Sequence, residues 1–304
     1  MPDVAAPAPL RLTASELAER LDAFAGEFLE GRSRETVGTY RRALREYQRF
    51  AALRSAARVP LDFDEAGAAA YRRHLAEARG MSQVSVSTYL TALRRFGQYL
   101  VAAGLLDENP ASAVGGNRRP DAHTRATLTE AEARGLLHGI PSSGLLDLRD
   151  RALIALMLHA GLSAIELVRA DILDLESTLL GWYLRVQGKG RASKDQQVAL
   201  GPMAAGPLEA YLRARGVGSL SPEPLFTGHG RRGHGERLNT RTIRARVAER
   251  LAEAGVTRPG ISAHSLTHTA ALLWLADGLS VEEVRDRMRH GTLDTTMIYW
   301  RRQW

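Results

Sequence analysis

The chain has 304 residues, 44% hydrophobic and 25% charged, which is room for two globular domains. It contains no cysteine, so a disulfide framework and a thiolate metal centre are excluded, and neither a metal nor a cofactor is expected. The formal charge of +7 favours a polyanionic partner; with no apolar run of bilayer length and no basic-then-apolar leader in residues 1–10, a cytoplasmic protein without membrane contact is expected.

Residues 1–9 are rich in alanine and proline and read as a disordered tail, taken to end at residue 11. From Leu12 the pattern turns helical. Val37, Tyr40, Leu44, Tyr47 and Phe50 form one apolar stripe, and Val86, Tyr89, Leu90, Leu93, Phe96 and Leu100 form another. Gly104 closes the second helix and Asn109-Pro110 stops it, so residues 12–114 are expected to hold four or five helices in a small bundle. Arg41, Arg42, Arg45, Arg94 and Arg95 lie off these stripes, where they either reach phosphates or merely keep a helix face solvated. Residues 115–126 read as a basic linker.

The second domain, residues 127–304, opens with Thr129 and Glu132 at capping-box spacing. A helix over 149–159 with Gly161 as its C-cap follows. Residues 182–186, 188–190 and 196–200 read as strand, turn and strand. Helices are expected over 207–215, 240–254, 263–276 and 281–288, the last behind Ser280 and Glu283. The fold class is therefore mainly α with a small β-sheet (α+β).

The basic residues divide unevenly by type. Of the 41 lysines and arginines only Lys189 and Lys194 are lysine. A GC-rich genome explains arginine richness but not two lysines within six residues. A site that needs an ammonium able to release a proton explains them better, because guanidinium does this very poorly.

Near the C-terminus stand His264-Ser-Leu-Thr267-His268, then His290, then Asp294-Thr-Thr-Met-Ile-Tyr299. His264, Thr267 and His268 are spaced three and four residues apart and share one helix face. The pattern is not His-Glu-x-x-His and no cysteine assists, so zinc is set aside. Alone, such a histidine reads as a polar helix cap and such a tyrosine as packing. Together with Gly161-Leu-Ser163-Ala-Ile-Glu166-Leu and Gly188-Lys189-Gly190, they resemble the active-site skeleton of the tyrosine recombinase (phage integrase) family, and of its Xer-like site-specific recombinases in particular.

The resemblance spans roughly residues 12–304. It implies an N-terminal helical core-binding (SAM-like) domain and an integrase-type catalytic domain, the two forming a C-shaped clamp on duplex DNA. It implies a reaction in which Tyr299 attacks a DNA phosphodiester, giving a 3′-phosphotyrosine and a free 5′-hydroxyl, with no metal or nucleotide. His264 and His290 would contact the scissile phosphate and help manage the tyrosine proton, and Lys189 in its hairpin turn would protonate the leaving oxygen. His268 would support them. Glu166 would buttress the family's first catalytic arginine. Arg41, Arg42, Arg45, Arg94, Arg95, Lys194, Arg241 and Arg244 would bind DNA. A homo-oligomer on DNA, or pairing with an active homologue, and service to a mobile element would follow.

This chain departs from the pattern at two positions. Where the family carries its two catalytic arginines it has Ser163 and Thr267, which bring a neutral donor and no charge. Losing one transition-state donor costs on the order of 10²–10³ in rate, so at least ~10³ is expected for the pair. Glu166 then has nothing obvious to buttress. Three readings stay open: a natural pseudoenzyme that binds DNA, an active enzyme in which Arg289 or Arg169 substitutes, or residues introduced to trap a complex. The chain also ends five residues after Tyr299, so Trp300 and Trp304 are expected to anchor the tail and bury the tyrosine.

Overall fold

The computed structural model describes residues 10–30, 34–56, 61–115, 126–179, 181–188, 190–218, 220–230 and 233–303. The tail 1–9, most of the expected linker, Lys189 and Trp304 lie outside them. The chain divides into two compact units, residues 1–119 and 120–304.

Among the described residues the first unit holds four α-helices, α1 (Ala14–Ala23), α2 (Arg34–Ala56), α3 (Glu65–Arg73) and α4 (Gln83–Ala102). The starts of α1, α3 and α4 each have a local cause. Thr13 and Glu16 close a capping box on α1, Asp64 accepts from the Gly67 amide at 2.6 Å, and Ser82 accepts from that of Ser85. α1 and α3 each run on into a single π-helical turn, Phe24–Phe28 and His74–Ala78. The apolar stripes meet in one core, where Tyr47 and Tyr71 pack edge-on at 5.0 Å and Phe24 meets Phe96 at 5.8 Å.

Two expectations change here. The tail does not reach residue 11: β1 (Leu10–Leu12) pairs antiparallel with β2 (Leu61–Phe63), a three-residue contact that no periodicity announces. Arg94 is also not a surface cation. It is half-buried, its Nε and Nη2 donating to the carbonyls of Ala111 (3.3 Å) and Val114 (2.7 Å), so it ties down the segment after α4. Asn109 locks the same corner by donating to the Arg94 carbonyl at 2.9 Å. Gly97 makes room for it, since a Cβ there would lie 2.0 Å from the Asn109 Oδ1. Arg41, Arg42, Arg45 and Arg95 are exposed.

The second unit contains α5 (Glu130–Gly139), α6 (Leu145–His159), α7 (Ala164–Arg169), then β3 (Leu175–Thr178), β4 (Gly181–Val186) and β5 (Gln196–Leu200). The strands form one antiparallel sheet in the order β3-β4-β5, of which β3 was not expected from the sequence. After it come α8 (Pro202–Arg215), α9 (Thr240–Glu253), α10 (Ala263–Ala276), α11 (Val281–Met288) and α12 (Asp294–Gln303). α8 starts five residues before Pro207, because Pro202 takes the first helical turn and Pro207 is carried inside the helix. α6 is the central helix, with Ala152 to Leu158 all buried, so it is apolar on every side. Its N-terminal half is pinned to α9 through Asp150, which is 1% exposed. Arg149 donates to one of its oxygens at 2.8 Å, and Arg246 (2.6 Å) and Arg250 (3.1 Å) donate to the other. Among the described residues, no helix is long and apolar enough to cross a membrane.

Candidate active site

α10 begins beside Ser262 and carries His264 on its exposed side and Thr267 and His268 on its buried side. Ala270, Ala271, Trp274 and Leu275 of this helix pack with Val284 and Met288 of α11 and with Tyr299 of α12. This apolar cluster buries Tyr299 to 1% exposure, while Trp300 is 37% exposed and the part expected of Trp304 lies outside the described residues. A small-residue face on α10 thus brings the tyrosine to the histidines.

The Tyr299 hydroxyl is hydrogen-bonded to Nδ1 of His268. His268 in turn meets the ring of His264 edge-on at 4.3 Å. His290 lies parallel to the tyrosine ring, 6.2 Å away with 10° between planes. Its Nδ1 is engaged with the Thr296 hydroxyl at 2.8 Å, at the start of α12. Burial, and secondarily the Arg289 charge, push the His290 imidazole down to about 4 against the opposing pull of Glu166. The ring is therefore neutral at pH 7. The sequence suggested His264 and His290 for the tyrosine proton. In the structure the imidazole bonded to the phenol is that of His268, whose only signal was its place four residues after His264.

Neither departing position directs a donor outward. Ser163 caps α7, its hydroxyl and amide both donating to one oxygen of Glu166 at 2.6 and 2.7 Å. Thr267 is buried and its hydroxyl donates to the Leu162 carbonyl at 3.3 Å.

The expectation that Glu166 has nothing to buttress is corrected. Arg289, 123 residues further on, donates its Nε to one carboxylate oxygen at 2.7 Å and its Nη2 to the other at 3.2 Å. Nη2 also reaches the Gly161 carbonyl at 2.9 Å, and Nη1 reaches that of Arg287 at 2.5 Å. Both side chains of the pair are 7% exposed. Four of the five N–H groups of a guanidinium are thus committed to acceptors of the chain itself. Arg289 adopts φ 59°, the one non-glycine residue among those described in the left-handed region, and so caps α11. Gly161 shares this corner. With φ 60° and a Cβ position 2.8 Å from the Trp274 ring, it admits no side chain.

The remaining basic candidates take different places. Arg169 donates to the Gly188 carbonyl at 2.9 Å and so braces the β4–β5 turn. Lys194 stands between Asp171, at 2.6 Å, and Asp174. A compact ammonium between two carboxylates accounts for one of the two lysines without proton transfer. Arg241 and Arg244 are exposed on α9.

Comparison with known proteins bears on this geometry. The profile of the phage integrase family matches residues 126–303. The tyrosine recombinase XerC of Neisseria meningitidis (serogroup C, serotype 2a) is 31% identical over 294 residues, covering 92% of each chain. That of Chromohalobacter salexigens is 32% identical over 228 residues, 74% of this chain and 72% of its own. Among solved structures, the XerH site-specific recombinase bound to palindromic difH substrate superposes with a TM-score of 0.72 at 19% identity, over 95% of this chain and 81% of that one. A lambda integrase (75–356) dimer bound to a COC′ core site gives 0.67 at 15% identity, over 91% and 96%. At these identities the superpositions speak to the fold.

Proposed function

The chain belongs to the phage integrase family of tyrosine recombinases, and from that premise we propose that it binds duplex DNA as a recombination protein whose strand cleavage is much weaker than the family's. The observation that carries the proposal is the state of the two departing positions. The hydroxyls of Ser163 and Thr267 are spent on Glu166 and the Leu162 carbonyl, so neither position brings charge to a pentacoordinate phosphorus. Such a protein occupies recombination sites, alone, as an oligomer, or beside an active homologue. Lys189 is the proposed general acid, Tyr299 the nucleophile, and Arg41, Arg42, Arg45, Arg95, Arg241 and Arg244 the phosphate contacts. Arg94 and Lys194 are left out, because internal acceptors hold them.

A second reading, residual cleavage, has an observation in its favour. Arg289 returns one guanidinium to Glu166, the carboxylate that resemblance assigns to the first arginine. One charge recovered of two, with most of its donors held by acceptors of the chain itself, supports slow chemistry rather than none.

The test is covalent capture. A duplex selected by binding from a random pool is nicked beside each phosphate in turn, and a denaturation-resistant protein–DNA adduct is quantified. Wild type is expected to form adduct at least ~10³-fold more slowly than Ser163→Arg/Thr267→Arg/Arg289→Gly. The third change is needed because an arginine at 163 competes with Arg289 for Glu166. Equal rates would sink the proposal, and Tyr299→Phe sets the blank.

A further inference from the structure

The geometry points to His268 as the base that takes the proton of Tyr299 during attack, with His264 as the route by which that proton reaches the surface. This rests on the recombinase reading above and gives a task to a residue that the reading leaves as support. At neutral pH a phenol with an ordinary value near 10 is almost entirely protonated, so its attack on phosphorus needs an acceptor in contact with the oxygen.

His268 is in that contact. Its Nδ1 is bonded to the Tyr299 hydroxyl, and it is 8% exposed, so the pair meets away from bulk water. His290 is placed for another purpose. Its ring is parallel to that of the tyrosine with centroids 6.2 Å apart, and its own Nδ1 is engaged with Thr296 rather than with the phenol. A buried base also needs a way to return to its starting state. The ring of His264, one turn earlier on the same helix, stands edge-on to His268 at 4.3 Å and is itself exposed. Phenol, buried imidazole and surface imidazole stand in contact in that order between nucleophile and solvent.

The step balances as follows. The Tyr299 O–H bond breaks and its proton passes to His268 Nδ1 while the phenolic oxygen bonds to phosphorus. The bond from phosphorus to the 5′-oxygen breaks, and that oxygen leaves with the electron pair and takes the proton of the general acid proposed at Lys189. In rejoining, the 5′-hydroxyl gives its proton back to the amine proposed at Lys189 as its oxygen bonds to phosphorus, the bond from phosphorus to the phenolic oxygen breaks, and that oxygen leaves with the electron pair and takes the proton from His268 Nδ1. The resting chain must therefore have His268 as the Nε2–H tautomer, its Nδ1 lone pair facing the phenol.

Two measurements on the full chain decide this. Nitrogen-15 spectra of the imidazoles are expected to show His268 Nδ1 unprotonated and hydrogen-bonded, the bonded signature vanishing in Tyr299→Phe. A protonated Nδ1, or no response to Tyr299→Phe, overturns the inference whether or not the chain cleaves DNA. In the adduct assay, run in the arginine-restored background, His268→Asn keeps an acceptor oxygen near the Nδ1 position but cannot take a proton. It should slow adduct formation roughly 10²–10⁴-fold with duplex affinity unchanged, and an unchanged rate overturns the role. His268→Gln, with its acceptor displaced, is the companion should the asparagine variant fail to fold. If the restored background forms no adduct at all, the cleavage reading of the site falls, and the spectra alone decide where the proton rests.

Discussion

The Arg289–Glu166 pair gives the sharpest test of how this site is held together. Replacing Arg289 by methionine keeps much of the side-chain volume but leaves the Glu166 carboxylate buried with only the Ser163 donors. Both side chains are 7% exposed, so the full charge is stranded where water hardly reaches it. Breaking a buried pair from one side costs about 3–5 kcal/mol. Arg289→Gly should cost less by about 1 kcal/mol, because glycine relieves the left-handed backbone at φ 59°. All four tryptophans, at 182, 274, 300 and 304, belong to the second unit, so urea unfolding followed by tryptophan fluorescence reads that unit selectively. The cycle with Glu166→Gln should return a coupling of at least ~2 kcal/mol. A loss below about 1 kcal/mol for Arg289→Met, the range of exposed ion pairs, would refute the claim that this contact replaces the missing arginine's anchor.

Other expectations follow from the same coordinates. Gly161→Ala forces a methyl group to 2.8 Å from the Trp274 ring in a left-handed backbone, and should cost roughly 1–3 kcal/mol in the same urea experiment; a change within error would mean that the α6–α7 corner is slack. The His290 imidazole titrates at about 4 when folded and near 6.5 when unfolded, so between those values only the unfolded chain takes up the proton. Stability should therefore fall as pH drops from 6.5 to 4, and the melting temperature of His290→Gln should fall less over that window; identical slopes would count against a buried neutral imidazole. His229, also pushed down to about 4 by burial and by Arg149 and Arg215, should leave part of the slope in that variant. Arg41→Ala should lower the salt dependence of duplex binding by about one counterion with little effect on melting, whereas Arg94→Ala should lower the melting temperature; the opposite assignment would reverse our sorting of the two arginines. Lys194→Met leaves Asp171 and Asp174 facing each other and should speed amide exchange at Arg191 in the β4–β5 turn, an effect that hydrogen-exchange mass spectrometry would miss only if the clamp has no hold on the hairpin.

What could be read from the chain, and what could not, divides by range of interaction. Helix starts at Thr129 and Ser280 were visible because a capping box is complete within four residues. Gly161 was visible as a cap because its conformational demand is local. The stripes through Tyr47 and Phe96 were visible because burial repeats with the helix. The strand pairings of Leu10–Leu12 and Leu175–Thr178 were not, being too short for alternation to register. Nor was the bond from Arg289 to Glu166, which depends on one residue adopting a backbone angle that arginine rarely takes. The unpartnered Glu166 and the arginine beside His290 were each noted, but only the fold joins them. His268 was recognised by its spacing, yet its hydroxyl partner comes from another helix 31 residues away.

Asp150 bears on how the chain's arginine content should be understood. Three guanidinium groups, from Arg149, Arg246 and Arg250, converge on that single carboxylate, and Arg250 reaches Asp147 and Glu253 as well. A guanidinium spreads five donors over three nitrogens in a fixed plane, whereas an ammonium gathers three on one, so wholesale arginine-to-lysine recoding would unpick the joint between α6 and α9. These cations are rivets of the scaffold rather than part of any surface field. Asp147, Asp150 and Glu253 balance the three arginines, so the network leaves the formal charge of +7 to the rest of the chain.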